Sequence, residues 1–303
     1  MILSAARLSW GRLWIGLFAI LSIGLLSATA AESADADSPV APDYAGAKPP
    51  ATQKQVSGDG PLAPDFAKGV TPETAAKLRV GVNPSGPPVI FLQGNKVSGI
   101  EADLATYLGE SIGREVEFVQ LPFHQLIPAL LDNKIDIIMS GMSFTEMRAI
   151  RVNFSQPYMK VGQMPLVHRS ELGKYSNTLG LLNTKGRVGV EKGTTGDLFV
   201  QENFIYAERV PYGDVNDAAK DLAAGKIDMV IDDSPIVWWL ASENEDSGLA
   251  PMVVSLTEEY LAWAVRKDDL ELLEECNTFL TKFRSSGDLH KVIKKWLPYA
   301  TDL

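Results

Sequence analysis

The chain states one pattern twice. KLRVGV at residues 77–82 returns as KGRVGV at 185–190, and KIDIIM at 134–139 returns as KIDMVI at 226–231. Each copy opens on a short β-branched run that reads as a buried strand. It then passes through a helical stretch and regains a second apolar strand through a turn at Asn133 or Gly225. Two such units predict two α/β lobes built on parallel sheets. Ligands of these sheets lie beyond the carboxyl ends of the strands. Those ends carry SGMS at 140–143 in one half and DDS at 232–234 in the other, which predicts a cleft between the lobes.

A chain of 303 residues with 46% hydrophobic content can fill two cores. Its net charge of −10 argues against a nucleic-acid partner, whose phosphates call for clustered lysine and arginine. The single cysteine, Cys276, excludes an intramolecular disulfide, and its place in the helical run LLEEC reads as a buried thiol. His124, His168 and His290 are scattered without ligand spacing, so no metal or other cofactor is expected.

Arg7 and Arg12 precede an apolar run at 13–26 that ends in Ala28, Thr29 and Ala30, which reads as a cleavable export signal over residues 1–30. Without cleavage the run would serve as a membrane anchor. Residues 31–70 are rich in Ala, Pro, Asp and Ser and read as a disordered linker. Helical periodicity predicts helices at 100–112, stopped by Gly113, at 125–132 and at 270–284. Extended segments at 161–167 and 260–265 are expected to cross between lobes as a hinge. Lobe I then comprises 71–163 and 257–303, and lobe II comprises 164–256.

Ser143, Phe144, Thr145 and Glu146 fit a capping box, which predicts a helix starting near Met142 and Ser143 and carrying Arg148 in its first turns. This segment is open to two readings: a guanidinium beside helix-start amides that suits a carboxylate, or an exposed helix arginine with the box serving only as a cap. GTTG at 193–196 is a second strand-to-helix turn, read either as a plain turn or as one whose amides hold an anion. DDSP at 232–235 is open to two readings: Ser234 as cap with Pro235 as first helical residue, or Asp233 paired with a cation across the cleft. Arginine on one lobe and carboxylate on the other describe a site for a zwitterion.

GIEADL at 99–104, LIPAL at 126–130, MSGMSFTEMR at 139–148, FSQPY at 154–158, VGVEKGTT at 188–195 and DDSP at 232–235 resemble, in combination and order, the periplasmic amino-acid-binding proteins of ABC importers, solute-binding protein family 3. The resemblance covers residues 77–298. It implies an α/β, two-lobed periplasmic-binding-protein-like fold with two crossing hinge segments that closes on its ligand. Carried over by position, Arg148 would hold an α-carboxylate with the backbone amides of Ser143 and Thr195. Asp233 would take the α-ammonium with the Gly141 carbonyl and the Ser143 hydroxyl, and Phe123 would pack on the ligand side chain. Two positions depart from the family pattern: Asn83 stands where Asp is common, and Gly86 where an aromatic lid is usual, implying an open wall. Glu191 and Asp232 fall where the family faces the ligand side chain, and acids there favour a cationic or hydrogen-bond-donating ligand. Trp238, Trp239 and Trp263 could line the cleft, but the paired Trp238 and Trp239 in an apolar stretch read as core.

The expected function is capture of an amino acid or close analogue in the periplasm and its delivery, by a monomer, to a membrane permease. No nucleophile–base pair appears, so no catalytic residue is assigned. The alternatives are a periplasmic enzyme of the cyclohexadienyl dehydratase type, with Glu191 or Asp232 as acid, and a ligand-sensing accessory protein with a separate partner.

Overall fold

The computed structural model describes residues 77–175 and 177–298; the signal expected at 1–30 and the linker expected at 31–70 lie outside the described residues. Two five-stranded sheets form, each flanked by helices, as an α/β chain requires. In the first, strand Leu78–Val82 pairs in parallel with Val116–Gln120 on one side and Ile137–Ile138 on the other. In the second, Arg187–Glu191 pairs in the same way with Glu208–Tyr212 and Met229–Asp233.

The sequence repeat is a repeat of side-chain contacts. Arg79 donates from its backbone nitrogen and Nε to Asp136 Oδ2 at 2.9 and 3.2 Å, and Arg187 does so to Asp228 Oδ2 at 2.7 and 3.1 Å. Each arginine ties the first strand of its unit to the start of the next. The paired glycines have a packing reason: a Cβ on Gly81 or Gly189 would collide with Cδ1 of Ile135 or Ile227. The turns reverse through left-handed backbone at Asn133 (φ 58°) and Gly225 (φ 69°), a conformation that costs these two residue types least.

The sheets are not wholly parallel, in contrast to the sequence expectation. Ala264–Val265 lies antiparallel between Ile137–Ile138 and Asn153–Phe154. Gln163–His168 lies antiparallel between Met229–Asp233 and Leu249–Pro251. Both strands enter their sheet from the crossing, at the end where the parallel strands finish, and so run the other way. The crossings pair as a ribbon, Met159–Val161 against Glu259–Leu261. They touch again at Gly162, where a Cβ would collide with Ser255 Oγ and the Thr257 carbonyl.

Helix Ile100–Ile112 buries Leu104, Ala105 and Leu108 and ends at Gly113 in left-handed conformation (φ 68°), as expected. Helices Leu270–Ser285 and Asp288–Trp296 return from the end of the chain to pack on it. Tyr107 meets Phe283 at 5.3 Å between ring centroids, while Lys295 Nζ and Trp296 Nε1 both donate to Asp103 Oδ2 at 2.7 Å. Trp263 and Cys276 are fully buried in this core. Burial raises the Cys276 thiol far above its ordinary range, which leaves it unreactive.

Candidate binding site

Strand ends deliver the site. Asn83 follows Leu78–Val82, Phe123 follows Val116–Gln120, and Gly141 and Ser143 follow Ile137–Ile138; Glu191 and Asp233 are the last residues of their own strands. These six, together with Arg148, Thr195 and Asp232, line one cavity of about 450 Å³ including its open mouth.

Arg148 rides on a short helix, Glu146–Ala149, capped by Thr145, whose Oγ1 accepts the Arg148 N–H at 3.1 Å. The capping box expected from Ser143 is therefore not formed. Ser143 is drawn into a β-bridge with Leu261, and its hydroxyl donates to Glu259 Oε2 at 2.6 Å. The Arg148 guanidinium lies 5.3 Å from the Phe123 ring centroid and donates to the Ser143 carbonyl at 2.8 Å. Its Nη2 reaches the Gly193 carbonyl of the second lobe at 3.2 Å. Burial pushes this guanidinium down to about 10, with Glu259 and Asp233 opposing, so it remains a cation at neutral pH.

In the second lobe, Thr195 is the first residue of helix Thr195–Asn203, behind Thr194, whose Oγ1 accepts from the Asp197 N–H at 3.1 Å. Its amide thus belongs to the first turn, where no intrahelical acceptor exists. The helix after Asp233 begins at Ser234, so Ser234 is not the cap. Asp233 occupies the cap position without a side-chain capping bond, because its Oδ1 accepts from Gln163 Nε2 at 2.6 Å. Asp232 Oδ1 accepts the Asp233 N–H at 2.7 Å, while Asp232 Oδ2 and Gln163 Oε1 are buried without a hydrogen-bond partner. Burial raises both aspartates above the carboxylate range; Glu191 adds to the rise at Asp232, and Asp232 to that at Asp233.

Glu191 spans the cleft. Asn83 Nδ2 donates to its Oε1 and Ser85 Oγ donates to its Oε2 at 3.2 Å, both from the first lobe. Burial pushes Glu191 up to about 7 against the opposing Asn83 bond. The open wall implied by Gly86 is closed: Ile236 of the second lobe packs there, and a Cβ on Gly86 would stand 2.7 Å from its Cδ1. Trp238, Trp239 and Trp263 do not line the cavity.

Sequence reasoning missed Gln163, Ser85 and Glu259. Gln163 had a signal, being one polar residue in the otherwise apolar run at 161–167; it is 1% exposed. Glu259 had none, because an acid beside Glu258 looks like ordinary surface. Its Oε2 also accepts from Thr195 Oγ1 at 2.6 Å, and its Oε1 from Thr257 Oγ1 at 2.7 Å. Among the described residues no cluster could hold a metal ion, and no helix is long and apolar enough to cross a membrane.

The family model described as bacterial extracellular solute-binding proteins, family 3, matches residues 78–299. ABC transporter arginine-binding protein 1 of Escherichia coli is 29% identical over 228 residues, covering 74% of this chain and 92% of that protein. A mutant of ArgBP from T. maritima is similar at a TM-score of 0.69 and 33% identity, covering 73% of this chain and 95% of that one. An ancestral amino acid-binding protein, AncCDT-1, a precursor of cyclohexadienyl dehydratase, is similar at a TM-score of 0.67 and 33% identity, with 73% and 95% covered.

Proposed function

Since the chain belongs to the bacterial extracellular solute-binding proteins, family 3, we propose that it captures an amino acid in the cleft and hands it to the membrane permease of an ABC importer. It works outside the inner membrane, as a monomer, after removal of its export signal. Arg148 holds the α-carboxylate with the amides of Ser143 and Thr195; Asp233 takes the α-ammonium. Glu191 and Asp232 receive a side chain that is cationic or rich in hydrogen-bond donors. The observation that carries this reading is that Arg148 of one lobe and Asp233, Asp232 and Glu191 of the other line one cavity. A single guanidinium among acids fits a ligand with one carboxylate and more than one positive or donating group. The similarity to an arginine-binding protein points the same way.

Calorimetric titration with L-arginine, L-lysine, L-histidine, L-glutamine and L-glutamate tests it. Binding of a cationic or amide side chain with rejection of L-glutamate is expected. Silence toward all five would overturn it. Prephenate and arogenate belong in the same series, because a buried Glu191 near neutral pKa is what a general acid needs; their conversion would replace transport by dehydration.

A further inference from the structure

We propose that Glu259 is a resident carboxylate beside the ligand's carboxylate position, clasping the lobes through Ser143 and Thr195 and biasing the cleft toward cations and against carboxylates. The proposal rests on the amino-acid reading of the cleft and adds a residue that specifies charge.

Ser143 leads into the Arg148 helix of the first lobe, and Thr195 opens a helix of the second. Both hydroxyls donate to the same oxygen, Glu259 Oε2, each at 2.6 Å. One carboxylate on the hinge ribbon thereby joins the two walls. A hydroxyl has one proton, and each of these is spent on Glu259. Toward the cavity, Ser143 Oγ and Thr195 Oγ1 therefore offer lone pairs. Thr195 Oγ1 already accepts from Gln163 Nε2 at 3.2 Å. Lone pairs welcome an ammonium and cannot hold a carboxylate.

A third hydroxyl, Thr257 Oγ1, donates to Glu259 Oε1 at 2.7 Å and itself accepts the Gln163 N–H at 2.9 Å. Three hydroxyls thus donate to this one acid and hold its carboxylate in place. The fixed negative charge then stands next to the two residues whose amides would bind the ligand carboxylate, and like charges placed together oppose binding. Proton use and charge act in the same sense. A ligand carboxylate is left with Arg148 and backbone N–H groups.

The test compares the full chain with its Glu259→Gln and Glu259→Ala variants, using L-arginine and agmatine, the same guanidine without the carboxylate. Gln removes the charge while keeping an oxygen for the hydroxyls; Ala removes both. The ratio of agmatine Kd to L-arginine Kd should rise several-fold in Glu259→Gln and by about tenfold or more in Glu259→Ala, as released hydroxyls become donors to the carboxylate. One ratio common to all three proteins, or a falling ratio, overturns the charge assignment while leaving amino-acid capture intact. If neither compound binds any of them, the specificity role fails, while amino-acid capture stands or falls separately with the five-ligand titration. Small-angle scattering without ligand decides the clasp in every case. A larger radius of gyration for Glu259→Ala than for the unsubstituted chain supports it, and equal radii overturn it.

Discussion

Arg148 lies between the aromatic face of Phe123 and two backbone carbonyls, one from each lobe. Its fork is held in place before any ligand carboxylate arrives. Replacement by Ala should cost about 2–5 kcal/mol of binding, because it leaves the ligand's charge unpaired, or roughly 30- to several-thousand-fold in Kd. Titration of the variant with the best-bound amino acid checks this, and an affinity within about threefold of the original would remove Arg148 from the site. Asp233→Asn should cost a similar factor for amino acids and little for analogues without the α-ammonium. The sequence made these two residues legible because each sits in a compact motif at a strand end, where parallel sheets put their ligands. Glu259 was opaque for the opposite reason. Its partner Ser143 is 116 residues away, and only the pairing of the two crossings brings them together. The Ser143 capping box failed on the same account, since the bridge to Leu261 takes Ser143 out of the helix and leaves Thr145 to start it.

At the level of elements, the repeated unit is held by a glycine–isoleucine contact as much as by its arginine–aspartate pair. Gly81→Ala and Gly189→Ala should each lose about 1–3 kcal/mol through overpacking against Ile135 or Ile227. At roughly 2–4 °C per kcal/mol, thermal melts would resolve this. Combining Gly81→Ala with Ile135→Val removes the Cδ1 in the way, so the double variant should recover part of the loss; strictly additive losses would contradict the contact. The limits of helices at 100–112 and 270–284 were readable to within a residue from apolar spacing and Gly113. The antiparallel strands were not, because Ala264–Val265 and Gln163–His168 are apolar runs whose direction is set by how the chain enters each sheet, and nothing local records that.

For the whole molecule, the cleft acids tie stability to pH. Burial raises Glu191 from the ordinary carboxyl value to about 7. Between roughly pH 4.5 and 7 the folded chain therefore binds more protons than the unfolded one, and stability falls as pH rises through that window. Melting temperatures of the ligand-free protein should decline from pH 5 to pH 8, and Glu191→Gln should flatten the decline. A cationic ligand favours the ionised acids, so its affinity should strengthen from pH 6 to pH 8, with proton release visible as a dependence of the calorimetric heat on buffer. The topology also sets an order of assembly. The second sheet draws all five strands from residues 163–251, one continuous stretch. The first sheet has Ala264–Val265 between Ile137–Ile138 and Asn153–Phe154, so two of its strands face an empty slot until residues 264–265 are present, after the whole second sheet. A chain emerging amino terminus first would complete its second half before its first half could close. In pulse-labelled refolding the amides of Arg187–Glu191 should gain protection no later than those of Ile137–Ile138, and a chain cut near residue 258 would expose two unpaired strand edges to its neighbours.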